Sequence, residues 1–235
     1  MQIILKDKLQ KKLLLLQRNE FLTQKQIKLR KLFGRTLFTK FFINYFQQCN
    51  LMETISSEIE KEFNLFKNHI PKNIKTVMDI GCGLGLINIF LNNYFKNINK
   101  FYLLDKNIID HKIKYGFSIN YESYNNLLAT KKTLKLNKID ENKINLIDVN
   151  KNYHIKEKSI DLVISLVSMG YHYPISNYVE LLKKTCTKRT VFIFDIATEY
   201  QDLDLIKNLF NHYEILESID TKHPRLRLFC SEIIF

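Results

Sequence analysis

The chain has 235 residues, 46% of them hydrophobic, and a formal net charge of +12 at pH 7. That length suits one α/β domain with an accessory segment, and only 6 Gly and 3 Pro argue against long disordered or low-complexity tracts. The basic excess raises a nucleic-acid partner, but the cations are overwhelmingly Lys, with Arg only at Arg18, Arg30, Arg35, Arg189, Arg225 and Arg227, a compositional bias rather than a set of phosphate-reading forks.

The start, Met1 to Lys8, carries too short an apolar run for a secretory signal, and no apolar run reaches the length of a membrane span. Cys49, Cys82, Cys186 and Cys230 form no C-x-x-C pair, and the six His form no ligand cluster with them. The expectation is a cytoplasmic protein with reduced thiols and no metal.

Residues 1 to about 70 read as helical and basic. Leu13 to Leu16 are flanked by Lys11, Lys12 and Arg18; Ile27, Leu29, Leu32 and Phe33 alternate with Lys25, Lys28, Arg30 and Lys31. Such stretches suit an anionic membrane or RNA, or helices that pack an apolar stripe on the domain as a lid and keep Lys in water. Phe38, Phe41, Phe42, Tyr45 and Phe46 form an aromatic stripe, either core contact or one wall of a pocket. Met52 to Phe66 is an amphipathic helix, with Ile55, Ile59, Phe63 and Phe66 at helical spacing, and Pro71 comes after it.

The stretch from Thr76 to Gly85 organises the rest of the chain. An apolar strand, Thr76 to Ile80, runs into Gly81, Gly83 and Gly85, and a helical pattern spans Leu84 to Phe95. Strand, glycine turn and helix is the arrangement that cradles a nucleotide-like ligand. A dinucleotide fingerprint needs its third glycine at position 86, which is Leu. A second strand, Lys100 to Leu104, ends at Asp105, 26 residues after Asp79. There a carboxylate offers two acceptor oxygens to a ribose diol. A third strand, Ile144 to Ile147, ends at Asp148. The 43 residues from Asp105 to Asp148 exceed one crossover helix, expected over about Tyr124 to Leu136, and the excess holds His111, Tyr115, Gly116, Phe117 and Tyr121.

A fourth strand, Ile160 to Val167, leads into Ser168-Met169-Gly170-Tyr171-His172-Tyr173-Pro174. A fifth strand, Thr190 to Ala197, and a helix, Leu203 to Phe210, precede two β-rich runs, Tyr213 to Ile219 and Leu226 to Phe235.

The order Asp79-x-Gly81-x-Gly83-x-Gly85 resembles the first motif of class I S-adenosylmethionine (SAM) dependent methyltransferases, and Asp105 matches that family's second motif. The resemblance covers roughly Thr76 to Phe235. It implies a Rossmann-like seven-stranded, mostly parallel sheet with a C-terminal antiparallel hairpin whose last strand lies between its neighbours. It divides the chain into an N-terminal helical accessory or lid segment (1–70) and a methyltransferase domain (71–235).

The resemblance also implies SAM as cofactor and S-adenosylhomocysteine as product, held by Asp79, Gly81, Cys82, Gly83, Gly85, Asp105, Lys106, Asp148, Val149 and Ser165. The end of the fourth strand faces the methyl group in the family. His172, with an unperturbed pKa near neutrality, is therefore the first candidate base, with Tyr171 beside it; His172 also reads as a group that merely bonds neighbouring backbone or stacks between the tyrosines. Tyr173, Tyr115, Tyr124 and His111 are the substrate-side candidates. No Asp/Asn-Pro-Pro-Tyr sequence of amino-methylating enzymes is present. The segment resembles uncharacterised bacterial small-molecule or sugar methyltransferases. The expected acceptor is an oxygen of a small molecule or saccharide; an RNA acceptor and a non-catalytic SAM-binding subunit are the alternatives.

Overall fold

The computed structural model describes residues 1–18, 22–45, 51–109, 125–198, 203–219 and 224–235, with Tyr45, Leu51, His172 and Ile219 described by backbone alone. Four helices come first: α1 (Lys8–Gln17), α2 (Gln24–Phe33), α3 (Arg35–Tyr45) and α4 (Leu51–Phe66). The first two begin with capping boxes. Asp7 accepts from the Gln10 amide and Thr23 from the Gln26 amide, while each Gln side chain reaches back to its cap. A single 3₁₀ turn, Lys67–His69, ends α4 ahead of Pro71.

The remaining chain alternates: β1 (Thr76–Ile80), α5 (Leu86–Tyr94), β2 (Lys100–Asp105), α6 (Leu127–Leu136), β3 (Ile144–Asp148), β4 (Ile160–Ser165), β5 (Ser168–Tyr173), α7 (Val179–Thr185), β6 (Cys186–Ala197), α8 (Leu203–Leu209), β7 (Phe210–Ile219) and β8 (Arg225–Ile233). Seven strands form one sheet in the order β3-β2-β1-β4-β6-β8-β7. The first five are parallel, and β8 runs antiparallel between β6 and β7. This is the expected Rossmann-like sheet with its C-terminal hairpin.

Because side chains alternate along a strand, the central strands bury both faces. Val77, Phe101, Leu103, Leu162, Ile164, Val191 and Ile193 point into one core with α4, α5 and α6. Met78, Tyr102, Leu104, Val163, Phe192 and Phe194 point into the other. Leu13, Leu14 and Leu15 of α1 belong to the first core, so the leucine run packs on the sheet. Asp161 ties the strand starts together: its carboxylate accepts from the amides of Lys75 (2.8 Å) and Thr76 (2.9 Å).

Several element boundaries differ from those expected of the sequence; among them, α5 is confined to Leu86–Tyr94 and β8 spans Arg225–Ile233. The fourth strand stops at Ser165, because Val167 takes φ +60° and the separate strand β5 starts after it. The β6 strand begins at Cys186, and its pairing with β4 jumps from Ile160↔Cys186 to Leu162↔Val191. Thr190 bridges that bulge by accepting from the Thr187 amide (2.8 Å) and donating to the Ile160 carbonyl (2.6 Å). Phe210 belongs to β7 rather than α8. The short α7 has no counterpart in the sequence pattern.

Candidate functional site

The glycine turn is built by the sheet beneath it. At the end of β1 the amides of Gly81 and Cys82 both donate to the Leu104 carbonyl (2.8 and 3.1 Å), and the Gly85 amide closes the turn on the Cys82 carbonyl (2.8 Å). Gly81, Gly83 and Gly85 all take positive φ, 73°, 53° and 72°. Gly81 has a second constraint, since a Cβ there would fall on the side chain of Ser168. Gly85 then caps α5 in the left-handed conformation.

Three acids stand at the carboxyl ends of adjacent strands. Asp105 and Asp148 are register partners on β2 and β3, and Asp79 on β1 pairs with Leu103, two residues before Asp105. The carboxyl ends of parallel strands are where α/β folds bind ligands. Asp105 Oδ2 accepts from the Gly83 amide (2.8 Å) and from Asn125 Nδ2 (2.9 Å), and its Oδ1 accepts from the Lys106 amide (2.7 Å). An ionised carboxylate has about four acceptor sites, so the group keeps capacity for a further donor. Asp148 is half-buried and accepts from the Asn150 amide (3.1 Å).

Asp79 is buried, and its Oδ2 accepts from Asn88 Nδ2 at 2.5 Å. Burial pushes the Asp79 carboxyl up to about 7; the Asn88 hydrogen bond opposes this, the Asp105 charge adds to it, and the Arg18 charge lowers it. Burial likewise pushes Asp105 up to about 6, against the pull of the Gly83 and Lys106 amides, Asn125 and the Lys106 charge. Two acids with raised pKa values at adjacent strand ends, Asp79 buried and Asp105 half-buried, are what a cationic ligand would relieve.

The structure places the other candidate residues around this turn and along β5. Cys82 is buried, and its thiol is pushed well up by burial and by the Asp105 and Asp79 charges, so it is a small lining group without thiolate character. Lys106 extends its ammonium over the Tyr173 ring at 5.1 Å, joining the end of β2 to β5. The Val149 amide donates to the Asp105 carbonyl (3.1 Å). Ser165 is fully buried; its hydroxyl donates to the Ile80 carbonyl (2.7 Å) and accepts from the Met169 amide (2.9 Å), which locks β4 and β5 to the end of β1. Tyr171 and Tyr173 are half-buried on β5. His172 is placed between them by its backbone, and His111, Tyr115 and Tyr124 lie outside the described residues. Among the described residues no group of three or more His, Cys, Asp or Glu is placed to hold a metal.

The structure adds residues that the motifs do not name. Asn125 and Thr130, before and within α6, both donate to the Gly83 carbonyl (2.9 and 2.6 Å). Gln17, at the end of α1, accepts from the Leu84 amide (3.3 Å) and lies where a Cβ on Gly83 would meet its Oε1 at 2.7 Å. The N-terminal segment thus reaches the turn itself. Next to it, Arg18 pairs with Glu62 of α4 (3.0 Å). Glu62 in turn faces Arg227 (3.6 Å), whose guanidinium grips Asp195 at 2.8 and 3.0 Å, both side chains fully buried. Burial works against the Arg227 charge, yet Asp195, Glu62 and Glu217 hold its pKa above the ordinary value. Asn88 was visible in the sequence as the one polar residue within Leu86 to Leu91; Gln17 and Asn125 carry no local signal.

Compared with known proteins, the sequence matches no family model and no curated relative. The structure is similar to solved methyltransferase structures. One is tRNA (m1A58) methyltransferase TrmI from Aquifex aeolicus, with a TM-score of 0.50 and 15% identity over 75% of this chain and 69% of that one. Others are TYW2 from M. jannaschii in complex with AdoMet (0.48; 17%; 76% and 77%) and precorrin-6y C5,15-methyltransferase from Geobacter metallireducens (0.49; 12%; 78% and 90%). At such identities the likeness is one of fold. The chain has the Rossmann-like methyltransferase fold.

Proposed function

We propose that the chain is a SAM-dependent methyltransferase acting on an oxygen of a small molecule or saccharide. The observation that carries this reading is the set Asp79, Asp105 and Asp148 at the ends of three adjacent strands, around a turn whose glycines all take positive φ. Asp105 would accept the ribose hydroxyls. Asp79, poised near neutrality by burial, would ionise against a cationic amino-acid end. Asp148 would accept from the adenine amino group, with Val149 alongside. When bound, SAM supplies an electrophilic methyl on a sulfonium sulfur. The protein's part is then to seat the acceptor in line and exclude water. A hydroxyl acceptor must also lose its proton, and Tyr171 and His172 of β5 are the proposed groups for that step, which a positioned base accelerates by about 10² to 10⁴. Tyr173, held by Lys106, would flank the acceptor, with Tyr115, Tyr124 and His111 as further substrate-side groups.

The test is transfer of labelled methyl from SAM to panels of saccharides, small hydroxylated compounds and RNA transcripts. Label in a saccharide or small hydroxyl compound, cut at least about 10²-fold by His172→Ala or Tyr171→Phe, supports the reading. Label in RNA alone, or no effect of either variant, contradicts the acceptor or the base assignment respectively.

A further inference from the structure

The α2–α3 corner is apolar on both sides, which a helix on a water-facing surface does not need. Its inner side chains, Ile27, Phe38, Phe42 and Ile43, pack on the core, with Phe38 and Phe42 stacked at 5.1 Å. Its outer side chains are Leu29 (46% exposed), Leu32 (76%), Phe33 (52%), Leu37 (51%) and Phe41 (66%). Gly34 joins the two helices with no atom within 4 Å of where its Cβ would lie, so the corner itself stands open. The outer leucines and phenylalanines thus form an apolar patch of the kind that marks an interaction surface.

The charges around that patch are one-sided. Lys25, Lys28, Lys31 and Lys40 are all exposed, and between Glu20 and Glu53 the sequence holds no acid. The arginines of the same stretch turn inward: Arg30 is buried, and half-buried Arg35 donates to the Leu16 carbonyl. We infer that the α2–α3 corner docks on an anionic phospholipid surface. The leucines and phenylalanines would enter the acyl boundary while the lysines meet the headgroups, as interfacial helices do.

The chemistry separates this from other occupants. A second copy would bring lysines against lysines with no acid to pair them. RNA recognition favours Arg forks and stacking rings, whereas the exposed cations here are Lys and three of the five apolar groups are aliphatic. Helices of 10 and 11 residues lie on a bilayer rather than cross it. The docking surface also touches the cofactor turn through one step of chain, because Arg35 holds Leu16 and the adjacent Gln17 bonds Leu84. The inference concerns binding alone and stands whether or not the proposed reaction is correct.

The test is sedimentation of the full chain with phosphatidylcholine vesicles, with and without phosphatidylglycerol, at low and high salt. Binding should require phosphatidylglycerol and weaken with salt. Each Lys→Glu change at Lys25, Lys28 or Lys31 should cost at least about fivefold, the worth of one lysine near an anionic leaflet. A Leu32→Ser, Phe33→Ser variant should lose binding while keeping the parental circular dichroism, since both side chains are exposed. Three results would overturn the inference. One is no binding to phosphatidylglycerol vesicles at low salt. Another is vesicle binding that these variants leave unchanged. The third is light scattering or RNA titration showing that the variants abolish a dimer or RNA binding instead of vesicle binding.

Discussion

Asp79→Asn separates a ligand-ready acid from an ordinary buried polar group, because its effect on stability must depend on pH. In the folded chain the Asp79 carboxyl titrates near 7, against an ordinary 3.8. A raised acid is compatible with burial while protonated, so its stability is fully present below about 3.8 and is lost as pH rises through about 7. Integrated between about pH 5 and pH 8.5, that shift costs the parent chain about 3 kcal/mol. Asn is neutral at both values and avoids the loss. It also brings an amide donor next to Asn88, whose Oδ1 is buried without a hydrogen-bond partner. Asp105 titrates in both chains, so its own ionisation cancels in the difference between them. Urea denaturation of parent and variant at the two pH values gives the difference directly. The variant should gain about 3 kcal/mol on the parent from the lower to the higher pH. An equal difference at both values would refute the idea that burial holds Asp79 poised.

Other outcomes rest on single contacts. Arg227→Met should destabilise the chain by about 3–5 kcal/mol, because the buried Asp195 carboxylate would lose both guanidinium hydrogen bonds and keep only the longer approach of Arg225 at 3.4 Å; adding Asp195→Leu should recover part of the loss in the same denaturation assay. Gly81→Ala should lower the melting temperature more than Gly34→Ala. Both positions sit near φ +75°, but only Gly81 presses on another side chain, Ser168, and that overlap adds about 1–3 kcal/mol. SAM affinity should rise from about pH 5 to pH 8 as Asp105 and then Asp79 ionise; calorimetry in a pH series reads this, and a flat profile would remove both acids from the cofactor's charge recognition.

Much of the fold is written locally. The β1-turn-α5 unit shows because glycines at alternate positions interrupt an apolar strand, and Asp105 and Asp148 stand out as acids closing apolar runs. The hairpin β7–β8 is legible as two β-rich runs separated by a turn. The break at Val167 is not, since Ile160 to Val167 reads as one β-rich run and nothing in that run marks the positive φ. The α7 helix is too short, at seven residues, to establish a helical period. Gln17 and Asn125 depend on approaches from 67 and 42 residues away, which no local pattern encodes. Arg227 is wholly buried because its register partner Asp195, two strand positions past Ile193, faces the same side, a pairing across strands that no local pattern encodes.

The turn between β1 and α5 and the acid on β2 are proposed to hold a sulfur nucleoside. Calorimetric titration with SAM and S-adenosylhomocysteine puts this to the test, with NAD and Asp105→Ala as controls. Micromolar binding of both sulfur nucleosides is expected, with no binding of NAD and loss of binding in Asp105→Ala. Binding of neither, or undiminished binding in Asp105→Ala, would contradict the assignment.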